Sequence, residues 1–134
     1  MEPLSVALAA VTRSGLELGM STLICGAGPI GLITLICAAA AGCEPLIITD
    51  LDQGRLDWAE KLVPRVHTIK VSRDESPKQL AERIKEHGGF EGIERAIECT
   101  GVESSISAAI YVLSIPNTSN GSLYVLEEWS SLLV

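Results

Sequence analysis

The sequence predicts an α/β fold built on a doubly wound parallel sheet with helices on both faces. Short apolar runs alternate with stretches of helical periodicity, and the connections between them are short. The run at 45–49 is apolar at nearly every position, as in a parallel strand buried on both faces. With 134 residues, 47% of them hydrophobic, the chain can form one domain, which we assign to residues 1–134.

Glycine, proline and capping residues mark the ends of the predicted elements. Gly42 ends the second helix, Asp52 is placed to cap the third, and Gly88 with Gly89 ends the fourth. In chain order we predict helix 1–11, strand 21–25, helix 29–41, strand 45–49, helix 53–63, strand 66–71, helix 77–87, strand 95–99, a helix containing 106–113, and strand 122–126.

The stretch 23–33 organises the rest of the chain. An apolar strand leads into Gly26, Gly28 and Gly31 at Gly-x-Gly-x-x-Gly spacing, and an apolar helix follows. In a dinucleotide-binding turn of the Rossmann type, the first glycine allows the turn, the second admits a pyrophosphate, and the third lets helix and strand pack closely. The alternative is a glycine-rich turn that only connects two core elements.

An acidic residue supports the dinucleotide interpretation. Asp50 follows the second predicted strand, nineteen residues after Gly31, where a carboxylate accepts hydrogen bonds from the adenosine ribose. Because this acid repels a 2'-phosphate and Leu51 is not an arginine, we predict NAD rather than NADP. Asp50 could instead cap the next helix. Arg55 could approach the adenine or ribose, or could be a solvated surface residue.

Composition excludes several other functions. The net charge is −7 and there is no cluster of basic residues, which argues against nucleic-acid binding. The apolar run 23–42 is interrupted by glycines and a proline, so we predict no membrane span. Residues 1–3 have no basic region of the kind that opens a signal peptide, and we expect a cytoplasmic protein.

Cysteine and histidine spacing predicts no metal site. Cys25, Cys37, Cys43 and Cys99 lie far apart without Cys-x-x-Cys spacing, and we interpret them as buried thiols. His67 and His87 are near no cysteine in a ligand pattern, which favours structural or surface roles.

Four separated motifs resemble zinc-dependent medium-chain polyol dehydrogenases, over roughly residues 2–110. They are Glu2-Pro3-Leu4-Ser5-Val6, the stretch 24–31 around the three glycines, Ile48-Thr49-Asp50 with Arg55-Leu56, and Glu98-Cys99-Thr100-Gly101. The resemblance implies an oxidoreductase that transfers hydride from a polyol such as L-arabinitol, xylitol or sorbitol to NAD.

The resemblance also implies roles for particular residues. Pro29 and Ile30 would lie against the pyrophosphate, and Asp50 would hold the adenosine ribose. Arg55 would flank the adenine, while Cys99 and Thr100 would line the path to the nicotinamide. Glu2 would reach the zinc or substrate site. Without the resemblance, Glu2 is a helix carboxylate that interacts favourably with the helix dipole.

The resemblance further implies what is missing. Residues 1–20 would be the connecting helix that follows a zinc-binding catalytic domain, and no ligand set for zinc is present. Residues 115–134 form an atypical tail, so we expect the sheet to be incomplete at its C-terminal edge. A gene-model error, a splice form or a degenerate copy would each produce this pattern. Members of the family form oligomers.

Three interpretations follow. The chain is the NAD-binding part of a polyol dehydrogenase, inactive alone because zinc must polarise the alcohol. Alternatively, it is a non-catalytic nucleotide-binding module. In the third interpretation it is a truncated product that folds poorly and has no function.

Overall fold

The computed structural model describes residues 3–87, 92–113 and 121–126. Five helices and five parallel strands alternate along this part of the chain, which confirms the predicted α/β fold class. The elements are α1 (Pro3–Ser14), β1 (Thr22–Cys25), α2 (Pro29–Ala40), β2 (Leu46–Asp50), α3 (Gln53–Leu62), β3 (His67–Lys70), α4 (Pro77–Lys85), β4 (Arg95–Glu98), α5 (Glu103–Leu113) and β5 (Ser122–Val125).

The strands lie in the order β3-β2-β1-β4-β5, and every pair is parallel. In the register, Ile24 of β1 lies between Ile48 of β2 and Ile97 of β4. The chain therefore moves outward from β1 to β3, crosses back, and continues outward from β4. The reversal falls between β1 and β4, and ligands of open α/β sheets bind at the carboxyl ends of strands around such a point.

Helices cover both faces of the sheet. On one face α2 and α3 pack on β1 and β2, and on the other α4 and α5 pack on β1, β2 and β4. The first core contains Ile24, Leu35, Leu46, Ile48, Leu56 and Ala59, and the second contains Leu23, Ile47, Ile84, Ala96, Ala109 and Val112. Alternate residues of the central strands thus point to opposite cores, which explains their continuous apolar sequence.

Most predicted boundaries agree with the structure to within one or two residues. The largest difference is at α1, which continues to Ser14, three residues beyond the predicted end. Ser14 is buried, and its hydroxyl donates to the carbonyl of Val11 at 3.0 Å. The helix therefore continues for one polar turn beyond the apolar residues from which its end was predicted. Asp52 caps α3 as predicted, by accepting from the backbone N–H of Arg55.

Two predictions concern segments that lie wholly or mostly outside the described residues. The predicted stop of the fourth helix at Gly88 and Gly89, and most of the predicted tail 115–134, lie outside the described residues. Among the described helices, none is long and apolar enough to cross a membrane.

Close packing between α2 and β1 depends on Gly31. A Cβ atom at this position would lie 1.8 Å from the carbonyl oxygen of Gly26, a distance that no side chain can occupy. Gly26 itself has a φ of +105°, where residues with side chains are strained. By contrast, a Cβ at Gly28 would meet nothing within 4 Å.

These contacts predict different stabilities for two alanine variants. Gly31→Ala should lower the free energy of unfolding by about 3 kcal/mol or more, since the clash is with backbone that cannot rotate away. Gly28→Ala, the matched control, should change it by at most about 1 kcal/mol. Urea denaturation of both variants measures the difference, and equal stabilities would contradict the packing described here.

Candidate functional site

A cleft of about 540 Å³ opens at the carboxyl ends of β1, β2, β3 and β4. It lies at the point where the strand order reverses, as the topology predicts. Its walls come from four connections, and its lining residues are Gly26, Gly28, Thr49, Asp50, Leu51, Arg55, Val71, Ser72, Arg73, Glu75, Pro77, Leu80, Cys99, Thr100, Val102, Ser104 and Ser105.

The glycine turn forms one wall of this cleft. The Gly26 N–H donates to the carbonyl of Thr49 at 2.8 Å, which ties the turn to β2. Gly28 is the N-cap of α2 and supplies no side-chain cap, unlike Asp52 on α3 and Ser76 on α4. The first turn of α2 therefore presents its N-terminus to the cleft with no side chain of its own over it, an arrangement suited to a phosphate.

Asp50 lies at the end of β2 and joins three segments. One carboxylate oxygen accepts from the N–H of Ala27 at 2.8 Å, and the other accepts from the N–H of Asp52 at 2.8 Å. The side chain is 9% exposed. Asp52 rather than Asp50 caps α3, so the alternative role considered for Asp50 is wrong. Asp50 instead fixes the glycine turn against β2 while lining the cleft.

Arg55 is the cation nearest this carboxylate among the described ion pairs. Its guanidinium lies 3.9 Å from an Asp50 oxygen, and 57% of its side chain is exposed. An exposed pair at this distance contributes little to stability. Arg55 is therefore free to turn toward a ligand in the cleft.

The connection from β4 to α5 forms the facing wall. The Cys99 N–H donates to the carbonyl of Cys25 at 2.8 Å, which keeps the end of β4 beside β1. Glu98 is fully buried beneath this wall and accepts hydrogen bonds from Thr100, Gly101 and Ser105. Thr100 and Ser105 line the cleft, so a buried carboxylate supports two of its lining residues.

The thiols beside the site are not poised to react. Burial raises the pKa of Cys99 to about 12, and the charge of Glu98 adds to the effect. Burial and Glu98 also raise the pKa of Cys25 well above its ordinary value. Burial therefore favours the protonated form of both thiols over the thiolate, which is the reactive form of cysteine.

One wall of the cleft was missed in the sequence prediction, which treated 72–77 only as a polar loop. This loop follows β3, beside β2, and contributes Ser72, Arg73 and Glu75 to the lining. Arg83 donates to Glu75 at 2.8 Å and to the carbonyl of Lys70 at 3.2 Å, which holds the loop in place. Because the carboxyl ends of parallel strands lie at the same edge of a sheet, the position of this loop directly after a predicted strand could have indicated that it lines the cleft.

The predicted site residues fall into three groups. Gly26, Gly28, Asp50, Arg55, Cys99 and Thr100 all line the cleft. Pro29 begins α2, Ile30 packs toward Ala10 and Ile97, and Gly31 lies beneath the turn, so these three border the cleft without lining it. Glu2 lies outside the described residues.

The described residues do not fit a zinc ion. Across 3–87, 92–113 and 121–126, no three side chains of His, Cys, Asp or Glu come together as a ligand group. His67 and His87 stack on each other with ring centroids 5.2 Å apart, away from the cleft lining.

Comparison with known proteins identifies the family. Residues 29–118 match the model of the zinc-binding dehydrogenase family, which is more than half of the chain. The chain belongs to the zinc-binding dehydrogenase family. This match, together with the relatives described next, confirms the predicted resemblance to zinc-dependent polyol dehydrogenases. The matched region includes the helix after the glycine turn and the β4–α5 wall of the cleft.

Two curated relatives are polyol dehydrogenases by name. L-arabinitol 4-dehydrogenase from Aureobasidium melanogenum is 52% identical over 128 residues, which covers 94% of this chain and 33% of the relative. Sorbitol dehydrogenase from Bos taurus is 42% identical over 126 residues, with the same two coverages. The chain thus spans about one third of the length of these relatives.

Solved structures give the same result for the fold. The (2R,3R)-butanediol dehydrogenase from Bacillus subtilis superposes with a TM-score of 0.73 at 33% identity, over 92% of this chain and 33% of that one. Alcohol dehydrogenase TADH from Thermus sp. ATN1 superposes with a TM-score of 0.77, over 92% and 33% of the two chains. At 24% identity, the second match shows the fold alone.

Proposed function

We propose that this chain is the NAD-binding part of a polyol dehydrogenase, within a single dinucleotide-binding domain over residues 1–134. The observation that carries the proposal is the juxtaposition of the open glycine turn and Asp50 in one cleft. A helix N-terminus with no side-chain cap, preceded by Gly28, lies in the same cleft as the Asp50 carboxylate, which suits the pyrophosphate and ribose of one dinucleotide. A purely structural turn requires neither feature.

In this proposal the glycine turn holds the pyrophosphate. The open space at Gly28 and the uncapped N-terminus of α2, with Pro29 and Ile30 in its first turn, receive the phosphate oxygens. Gly31 acts indirectly, because it allows α2 to approach the turn closely enough for its N-terminus to reach the cleft.

Asp50 holds the adenosine ribose while it keeps its bonds to the backbone. Each carboxylate oxygen accepts one N–H and retains a second lone pair, which can accept a ribose hydroxyl. Arg55 flanks the adenine end, and Cys99 with Thr100 lines the path toward the nicotinamide. We further propose that NAD is preferred to NADP, because the Asp50 carboxylate would face the charge of a 2'-phosphate.

The reaction of the whole enzyme is hydride transfer from a secondary alcohol of a polyol to the nicotinamide, and the cofactor supplies this redox chemistry when bound. The names of the relatives support a polyol such as L-arabinitol or sorbitol; xylitol is a further candidate that the sequence motifs imply. The residues of this chain bind and orient the dinucleotide. We propose that residues 1–20 connect to the catalytic domain, with Glu2 near its zinc or substrate, and that residues 115–134 are an atypical tail.

We propose that the 134-residue chain alone does not oxidise a polyol. Zinc in this family polarises the alcohol oxygen, and the described residues offer no group that could bind the ion. Four free cysteines among the described residues support a reducing, cytoplasmic location. We also propose that the enzyme is an oligomer, as in its family, and that it binds no nucleic acid, since its net charge is −7.

Substitution at Gly28 tests the proposed pyrophosphate site. The wild-type chain should bind NAD with a micromolar Kd, measured by isothermal titration calorimetry. Gly28→Ala should weaken binding at least about tenfold, because its methyl group would occupy space that the phosphates need, while the fold tolerates it. The control is Gly54→Ala on α3, outside the cleft lining. Equal NAD affinity in Gly28→Ala and the wild type would contradict the assignment.

Substitution at Asp50 tests the preference for NAD. The wild-type chain should bind NAD at least about tenfold more tightly than NADP, and Asp50→Ser should reduce this ratio to about threefold or less. The variant should also lose about 1–3 kcal/mol of stability, because two backbone N–H groups lose their carboxylate acceptor. Titrations are therefore made below the melting transition of the variant.

Asp57→Asn is the matched control for Asp50→Ser. Asp57 is an exposed carboxylate on α3 that accepts from Gln53 and does not line the cleft. Its substitution should leave the NAD to NADP ratio unchanged. A wild-type chain that binds both dinucleotides equally would show that Asp50 does not select against the 2'-phosphate.

A further inference from the structure

We propose that Glu98 is a positioning residue that sets the wall of the cleft opposite the glycine turn. The proposal rests on the proposed NAD-binding function and deepens it. Glu98 does not line the cleft, because its side chain is fully buried. Its effect on binding is transmitted through the residues that it holds.

The two carboxylate oxygens of Glu98 accept hydrogen bonds from different parts of the wall. One oxygen accepts from the backbone N–H groups of Thr100 at 2.6 Å and Gly101 at 3.0 Å, and from the Thr100 hydroxyl. The other accepts from the Ser105 hydroxyl in the first turns of α5 at 2.6 Å. Four donors on one buried carboxylate satisfy its charge and fix the turn and the helix together.

Thr100, which Glu98 holds in place, contacts both the start of α5 and the glycine turn. Its hydroxyl oxygen accepts from the Val102 N–H at 3.0 Å, which leads into the start of α5. Its methyl carbon would lie 2.8 Å from a Cβ atom at Gly26, so it packs directly against the glycine turn. Displacement of Thr100 therefore changes the width of the cleft between the β1–α2 and β4–α5 connections.

The position of this wall predicts an uneven effect on nucleotides. The adenosine half of NAD would be held by Asp50 and Arg55, which have no contact with Glu98 among the described interactions. In the proposed binding mode, the wall held by Glu98 is the one that lies on the nicotinamide side. Loss of the hydrogen bonds to Glu98 should therefore weaken the binding of NAD much more than the binding of ADP. A general loss of folding would weaken the binding of both nucleotides equally.

The test compares Kd values for NAD and ADP by calorimetry on the full chain. Glu98→Asp keeps the negative charge but shortens the side chain by one methylene, so the carboxylate cannot accept from Thr100, Gly101 and Ser105 in the observed arrangement. This variant should weaken NAD binding at least about fivefold and ADP binding by less than about twofold. Glu98→Ala should weaken NAD binding about tenfold or more. Because Glu98→Ala leaves buried donors unpaired, Glu98→Asp is the deciding variant if the alanine variant does not fold.

A conservative variant provides the rescue. In Glu98→Gln the amide oxygen can still accept from Thr100 and Gly101, and the amide nitrogen can donate to the Ser105 hydroxyl, which can also accept. NAD affinity should stay within about threefold of the wild type. The control is Glu103→Gln, an exposed acid at the start of α5 outside the cleft lining, which should leave both affinities unchanged.

The outcomes separate this inference from the proposed function. NAD affinity that is unchanged in Glu98→Asp, or ADP affinity that falls as much as NAD affinity, would overturn the positioning role alone. A wild-type chain that binds neither nucleotide would overturn the proposed function and this inference with it. Selective loss of NAD affinity in Glu98→Asp, with affinity retained in Glu98→Gln, supports both.

Discussion

The close approach of α2 to β1 is the constraint on which the rest of the structure depends. A Cβ atom at Gly31 would lie 1.8 Å from the carbonyl of Gly26, so only glycine permits this contact. It brings the N-terminus of α2 to the carboxyl end of the central strand. The same contact therefore holds α2 against the core on one face of the sheet and places its N-cap, Gly28, in the lining of the cleft.

Two carboxylates then fix the walls of the cleft on either side of the glycine turn. Asp50 holds the turn to β2 through the Ala27 N–H, and Glu98 holds the β4–α5 turn that packs against Gly26. A carboxylate that is removed from water is costly unless its hydrogen bonds are satisfied, and backbone N–H groups satisfy the partly buried Asp50, while backbone N–H and hydroxyl groups satisfy the fully buried Glu98. The hydrogen bonds of these two carboxylates therefore set the geometry of the cleft, even though the chain as a whole carries a net charge of −7.

The sequence was sufficient to predict the order of elements and six of the residues that line the cleft. Glycine spacing and the position of Asp50 depend on local geometry and a fixed chain length, so both can be recognised without coordinates. The contribution of Arg73 and Glu75 depends on β3 lying beside β2, which is a property of the sheet order. The role of Glu98 depends on its burial and on donors two to seven residues away, which a motif does not reveal.

In the proposed binding mode, the glycine turn and the β4–α5 turn form one dinucleotide site. The most direct test is an NMR titration of the isotopically labelled 134-residue chain with NAD, following the backbone amide signals. We expect saturable shifts concentrated at residues 26–31, 50–55 and 99–105, with the signals of α1 unchanged. No shifts at millimolar NAD, or shifts confined to residues outside the cleft, would contradict it.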